Sequence, residues 1–205
     1  MFSRKLNLDE RLLRIARTRG HTLRADRAVA RFSRLGEHAG IWLAIGLVGG
    51  VLDVERRREW RRATATVAGT YALNTAIKRV VGRRRPELPG LPPLTGTPTA
   101  LSFPSAHAST SFAGAGVYSR LGLPAVPLYT LATGLALSRL YLGVHYPSDV
   151  LAGAVLGRLT ARARRRRGVA LREEARRLAA DPRDRAELAA LREELDELSP
   201  PWPAD

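Results

Sequence analysis

The chain has 205 residues, with 34 Lys and Arg against 19 Asp and Glu and a formal charge of +15, a length that suits one compact domain with a tail. It has no cysteine, which excludes a disulfide framework, a thiolate nucleophile and a Cys-based metal site. Lys5 and Lys78 are the only lysines, so position 78 marks a place where a compact point charge is wanted in a chain that otherwise uses arginine.

Residues 1–34 are polar and basic, and Leu6, Leu8, Leu12, Leu13, Ile15 and Ala16 space an amphipathic helix. Such a helix either lies at a membrane interface or is simply solvated. Five nearly charge-free stretches follow, at 39–54, 63–81, 105–119, 121–144 and 147–161. Several approach the roughly 20 residues that cross a bilayer, and their Gly, Ala, Ser and Thr suit close helix packing in lipid. No cleavage pattern follows the first stretch, so no signal peptide is expected. Pro89, Pro92, Pro93 and Pro98 with Gly90 and Gly96 make 86–100 a loop. After Arg162 come Arg164–Arg167 and two charged helices, at about 169–180 and 182–198, with Asp181 as N-cap and Pro182 at the first helical position. Leu188, Leu191, Leu195 and Leu198 form a short stripe that pairs with a partner helix, folds back or is solvated.

The expected fold is therefore all-α: an integral membrane bundle of about five spans, with an amphipathic N-terminal helix and a charged helical tail. Its parts are a basic segment 1–34, a membrane-embedded domain 35–161 and an arginine-rich tail 162–205. Strong basicity alone fits nucleic acid or an anionic membrane surface, and the apolar stretches select the membrane. A soluble helical protein is the alternative; the mean hydropathy of −0.16 favours it, but the charged ends pull that mean down. Basic loops at 55–62 and 158–167 lie on one face, which the preference of Lys and Arg makes cytoplasmic. Lys78–Pro104 and His145 then share the opposite, extracytoplasmic face. The ten Lys and Arg before residue 35 conflict with that orientation.

Three clusters carry chemistry. Lys78 and Arg85 lie two helical turns apart and share a face if the helix persists to Arg85, with Pro86 marking its end. Pro104-Ser105-Ala106-His107 opens a helix whose first-turn N–H groups form an anion site. Ser138-Arg139, His145 and Asp149 supply a planar anion clamp, an imidazole and a carboxylate that fixes its tautomer. Each has a plain structural reading, since arginines at membrane helix ends snorkel to headgroups and His107 serves as an interface residue. Together they suit metal-free phosphoryl transfer. His145 would be the nucleophile, His107 the general acid and base, and the cations would neutralise transition-state charge. His21 and His38 lack the paired spacing of a zinc site, so no metal or cofactor is expected.

The three clusters resemble the motifs of the type 2 phosphatidic acid phosphatase superfamily, which also includes vanadium haloperoxidases, over about residues 70–160. The resemblance implies His145 as nucleophile, Asp149 as its orienting acid and His107 as general acid/base. It also implies Lys78, Arg85, Ser105, Ala106 and Arg139 as the phosphate site. Ala106 departs from the glycine usual in the second motif. Residues 56–157 are also similar to actinobacterial decaprenylphosphoryl-phosphoribose phosphatases. The implied activity is hydrolysis of a lipid-linked phosphate, polyprenyl phosphates first, with phosphatidic acid, phosphatidylglycerol phosphate and undecaprenyl diphosphate as alternatives. A haloperoxidase and a non-catalytic basic adaptor are the weaker readings. The expected partners are the lipid substrate, the bilayer and a homo-oligomeric copy, with no nucleic acid.

Overall fold

The computed structural model describes residues 7–180 and 182–198. Among these, the chain is all-helical, and pairing is limited to isolated bridges at Arg84–Leu101 and Leu88–Leu91. The helices are α1 (Leu8–Thr18), α2 (Leu23–Arg34), α3 (Gly40–Leu52), α4 (Arg57–Val81), α5 (Ala106–Tyr118), α6 (Ala125–Tyr141), α7 (Pro147–Ala180) and α8 (Pro182–Leu198). The chain divides into two compact units, Met1–Arg162 and Ala163–Asp205.

The N-terminal segment is two helices rather than the one expected. Asn7 and Glu10 form a capping box that starts α1. The chain then turns at Gly20, and Thr22 caps α2 by accepting from the Ala25 N–H. Leu6 lies outside the described residues. The face of α1 that carries Leu8, Leu12 and Ile15 is exposed, while Glu10, Leu13 and Arg17 are buried. This inverts the usual soluble pattern, in which the apolar stripe faces the core.

Helix α4 does not persist to Arg85. Gly82 adopts the left-handed conformation with φ 65° and donates its N–H to the Lys78 carbonyl, a glycine C-cap. Arg85 therefore sits on a loop. At the other end of the chain, α7 runs unbroken from 147 to 180 instead of ending near 161. Arginine is a good helix former, and one glycine, Gly168, costs only about 1 kcal/mol in a helix interior. Asp181, expected as an N-cap, lies outside the described residues. In the C-terminal unit the described side chains are almost all solvent-exposed, Leu191, Leu195 and Leu198 included.

Helix α5 forms the centre of the first unit and packs against α3, α4 and α6. It is buried almost throughout, yet its residues are small or polar, including Ser109, Thr110 and Ser111. Trp42 donates its indole N–H to Ser111 Oγ at 2.9 Å, and the Tyr118 hydroxyl donates to the Trp42 carbonyl at 2.8 Å. Helix α7 reaches α5 at backbone distance. A Cβ on Gly153 would meet the Ser105 carbonyl oxygen, and one on Gly157 would collide with the Ser109 carbonyl. Trp42, Trp60, Val67, Tyr118 and Leu135 fill the core around α5, while Leu47, Val51 and Leu52 on α3, Leu137 on α6, and Leu151, Val155 and Leu159 on α7 are exposed.

Among the described residues no single helix is long and apolar enough to cross a membrane. At 13 residues, α3 and α5 are each about 20 Å long, short of a hydrocarbon core about 30 Å thick. The pair α2 and 37–52, bent by 47°, meets the length and composition together. The antiparallel course of α4 to α7 gathers four helix ends, the C-termini of α4 and α6 and the N-termini of α5 and α7. Arg57, Arg58, Arg61 and Arg62 lie at the far end of α4.

Candidate active site

His145 lies in the turn between α6 and α7, and Pro147 starts α7 so that Asp149 falls in its first turn. His145 is 3 % exposed and Asp149 is fully buried. Asp149 Oδ2 lies 3.4 Å from His145 Nδ1 and accepts the Tyr146 N–H at 2.8 Å. On the other face of the ring, Arg85 Nη1 stands 3.1 Å from His145 Nε2. A guanidinium donates only, so Nε2 presents its lone pair on that side and the ring proton sits on Nδ1, toward the carboxylate. Burial is the main cause that holds the His145 pKa down, to about 3, with Asp149 opposing it and Arg85 adding to it. The imidazole is neutral at physiological pH. Arg85 is anchored by Nε to the Thr99 carbonyl at 2.8 Å and by Nη1 to the Val144 carbonyl at 2.7 Å. Its pKa is lowered to about 10 by burial, which leaves it charged.

The second histidine is held differently. His107, in the first turn of α5, meets the Ser33 carbonyl through Nε2 at 3.0 Å. A carbonyl only accepts, so Nε2 carries the proton. Ser33 Oγ accepts from Arg139 Nη1 at 2.6 Å and lies 3.0 Å from Ser138 Oγ. Arg139 Nε is buried with no hydrogen-bond partner among the described residues, and so is His145 Nδ1.

Ser105 is the N-cap of α5, and its N–H donates to the Asp149 carbonyl at 2.9 Å, which ties the two helix N-termini together. Ala106 occupies the first helical position and is absent from the positive-φ residues. The backbone here makes no demand for glycine, and the Cβ is accommodated. Lys78 is placed at the same end of the bundle, but its ammonium donates to the carbonyls of Leu101, Ser102 and Pro104 at 3.3, 3.0 and 3.0 Å. It holds the loop that delivers Ser105. The remaining histidines are elsewhere: His21 Nδ1 pairs with Asp26 at 2.8 Å, and His38 Nδ1 meets the Tyr71 hydroxyl at 2.9 Å.

Three residues that sequence reasoning passed over complete the arrangement. Arg83 donates to Asp149 Oδ1 at 2.8 Å, to Ser148 Oγ at 2.7 Å and to Asp9 Oδ2 at 2.9 Å, and stacks 4.1 Å from the Tyr146 ring centroid. Asp9 also accepts the Ser148 N–H at 3.0 Å and the Ser148 hydroxyl. Burial works against the Asp9 carboxylate, but Ser148 and Arg83 outweigh it and hold its pKa below the usual value. Ser33 is the third. The Asn7–Glu10 capping box would have placed Asp9 in a helix first turn; nothing local marks Ser33 or separates Arg83 from its neighbours.

Chemically, this end of the bundle offers a neutral imidazole lone pair between a carboxylate and a guanidinium, with a second imidazole and a second buried guanidinium beside it. The PAP2 superfamily profile matches residues 60–169, and the chain belongs to that superfamily. It is 46 % identical over 132 residues to the decaprenylphosphoryl-5-phosphoribose phosphatase of Mycobacterium tuberculosis, covering 63 % of this chain and 73 % of that protein. Among solved structures it is similar to Aquifex aeolicus LpxE, with TM-score 0.64, 25 % identity and coverage of 78 % and 96 %. The phosphatidylglycerolphosphate phosphatase of Bacillus subtilis shares the fold, with TM-score 0.65, 23 % identity and coverage of 75 % and 80 %.

Proposed function

We propose that this protein is a membrane-embedded, metal-independent lipid-phosphate phosphatase that removes a phosphomonoester from a polyprenyl-linked substrate, with decaprenylphosphoryl-5-phosphoribose as the first choice. The observation that carries the reading is the placement of His145 Nε2 against Arg85 at 3.1 Å with Asp149 behind Nδ1 at 3.4 Å. A nucleophile, its orienting acid and a phosphate clamp meet on one imidazole ring. The substrate class is supported by the identity to the mycobacterial enzyme.

In the reaction, the His145 Nε2 lone pair attacks phosphorus, a P–N bond forms and the ester P–O bond breaks. His107 gives a proton to the departing alkoxide. With Nε2 donating to Ser33, the neutral ring first takes that proton at Nδ1 from the phosphomonoester monoanion, and it passes the one it later takes from water to the departing phosphate. His107 then takes a proton from water, whose oxygen attacks phosphorus, the P–N bond breaks and phosphate leaves. Arg85, Arg139 and the N–H groups of Ala106 and His107 at the start of α5 neutralise the equatorial oxygens. Lys78 lends charge and sets the loop.

The membrane reading is supported by the surface. Large apolar side chains face outward on α3, α6 and α7 while the central helix α5 is built mostly of small and polar residues, an arrangement that lipid rewards. We take 35–161 as the embedded domain of about five spans, 1–34 as an interfacial segment and 162–205 as a charged tail. The arginines at the far end of α4 support an extracytoplasmic site, given the preference of basic residues for the cytoplasm. A homo-oligomer is compatible with this surface. The test is phosphate release by detergent-solubilised protein from decaprenylphosphoryl-5-phosphoribose, phosphatidic acid and phosphatidylglycerol phosphate, with EDTA present. Release from the first above the others is expected; no release from any of them overturns the reading.

A further inference from the structure

We infer that the N-terminal helices α1 and α2, which lie outside the family-matched segment, complete the active site: Asp9 acts through Arg83 to position Asp149 and His145, and Ser33 positions His107 and Arg139. The inference rests on the phosphatase reading and deepens it.

The first arm begins with Asp149. Its Oδ1 has Arg83 and its Oδ2 has the Tyr146 N–H, so the carboxylate cannot rotate without stranding a buried charge. Arg83 follows the C-cap glycine on a loop and would be free to swing. What holds it is Asp9, which accepts from Arg83 and at the same time from the N–H and hydroxyl of Ser148. One carboxylate on α1 thus binds the guanidinium and the first turn of α7. Arg17, 5 % exposed, fastens the same helix at its other end by donating to the Pro92 carbonyl at 2.7 Å and the Tyr141 carbonyl at 3.3 Å.

The second arm is Ser33, 2 % exposed. Its carbonyl fixes the tautomer of His107, as the Arg85 guanidinium at Nε2 fixes that of His145, and its hydroxyl sets the Arg139 guanidinium. Histidine ligation partners of this kind decide which ring nitrogen is available. The two arms reach opposite halves of the site from consecutive helices, so neither contact is an isolated surface bond.

The two arms make different kinetic predictions. A loosened phosphate clamp weakens substrate binding as well as the transition state, whereas a mispositioned nucleophile lowers kcat with KM little changed. Wild type, Ser33→Ala, Asp9→Asn, Arg83→Met and Arg83→Lys would be assayed on decaprenylphosphoryl-5-phosphoribose, which leaves a primary alcohol, and on p-nitrophenyl phosphate. Arg83→Met is expected to lower kcat on both by about 100-fold, the cost of an ångström of misplacement, with KM little changed. Arg83→Lys should recover part of that loss, and Asp9→Asn should lower kcat on both by about tenfold, a tenth of the Arg83 effect. Ser33→Ala keeps the backbone carbonyl that holds His107 and removes the hydroxyl that Arg139 donates to, so it should raise KM and lower kcat, cutting kcat/KM about tenfold on both esters, the scale of one hydrogen bond to a charged group. Active wild type with both arms at wild-type kcat overturns the inference and leaves the phosphatase reading intact. Losses that track the amount of folded protein in every variant, with KM unchanged throughout, also overturn it, because that is the behaviour of scaffolding. Inactive wild type overturns the phosphatase reading itself.

Discussion

The two histidines of the site are built by opposite means. His145 is set within a local sequence unit: three residues separate it from Asp149, both lie at one helix start, and the partner is a full charge. His107 is set from 74 residues away by a neutral backbone carbonyl on α2. The difference matches the demands that the proposed roles place on each group. A nucleophile that keeps one tautomer throughout is served by a fixed carboxylate, and a group that alternately gives and takes a proton is served by a partner with no charge of its own.

Removing each in turn is the most direct way to break the comparison. His145→Ala should abolish turnover, by about 10³-fold or more, and should eliminate the acid-labile phospho-enzyme trapped by rapid acid quench. His107→Ala should cost on the order of 10²- to 10⁴-fold on alkyl esters while still forming some phospho-enzyme from p-nitrophenyl phosphate. If both variants lose the intermediate equally, the division of roles fails. A subtler break is Gly153→Ala, which drives a methyl group into the Ser105 carbonyl and parts the two helix N-termini. Overpacking of this kind costs about 1–3 kcal/mol, read as a lower melting temperature together with reduced kcat.

Acid sharpens the contrast further. The folded His145 pKa is held near 3 by burial, while the unfolded chain titrates near 6.5, so below pH 6.5 the unfolded state takes up a proton that the folded state refuses. Stability should therefore fall as pH drops from 6.5 toward 3, and His145→Gln should flatten that dependence in thermal melts. The smallest effect is expected for Ala106→Gly: the position is helical with negative φ, so kcat should stay within about twofold while stability falls by about 1 kcal/mol.

Much of the site was legible because its parts are local. Ser105 with His107, and His145 with Asp149, sit within a helical turn of one another, so spacing alone assigns them a shared end. What escaped was whatever depended on helix docking. Arg83 stands in a run of three arginines, and only the fold decides that it, rather than Arg84, faces Asp149. Ser33 and Asp9 make their contacts across 74 or more residues, a separation that leaves no trace in periodicity. The expected helix from Lys78 to Arg85 failed at Gly82, a stop signal present in the sequence and outweighed by the attraction of a shared face. The all-helical class followed from apolar segments without strand alternation, whereas the short lengths of α3 and α5 follow from turns that apolar composition does not mark.

The arginine excess noted at the outset halts at position 78 for a reason of shape. Three carbonyl oxygens, from Leu101, Ser102 and Pro104, converge on one nitrogen. A tetrahedral ammonium can send one proton to each from a single centre, whereas a guanidinium spreads its donors around a plane. Whatever pressure filled this chain with arginine meets, at that one atom, a requirement of solid geometry, and the loop that presents Ser105 inherits its height from it.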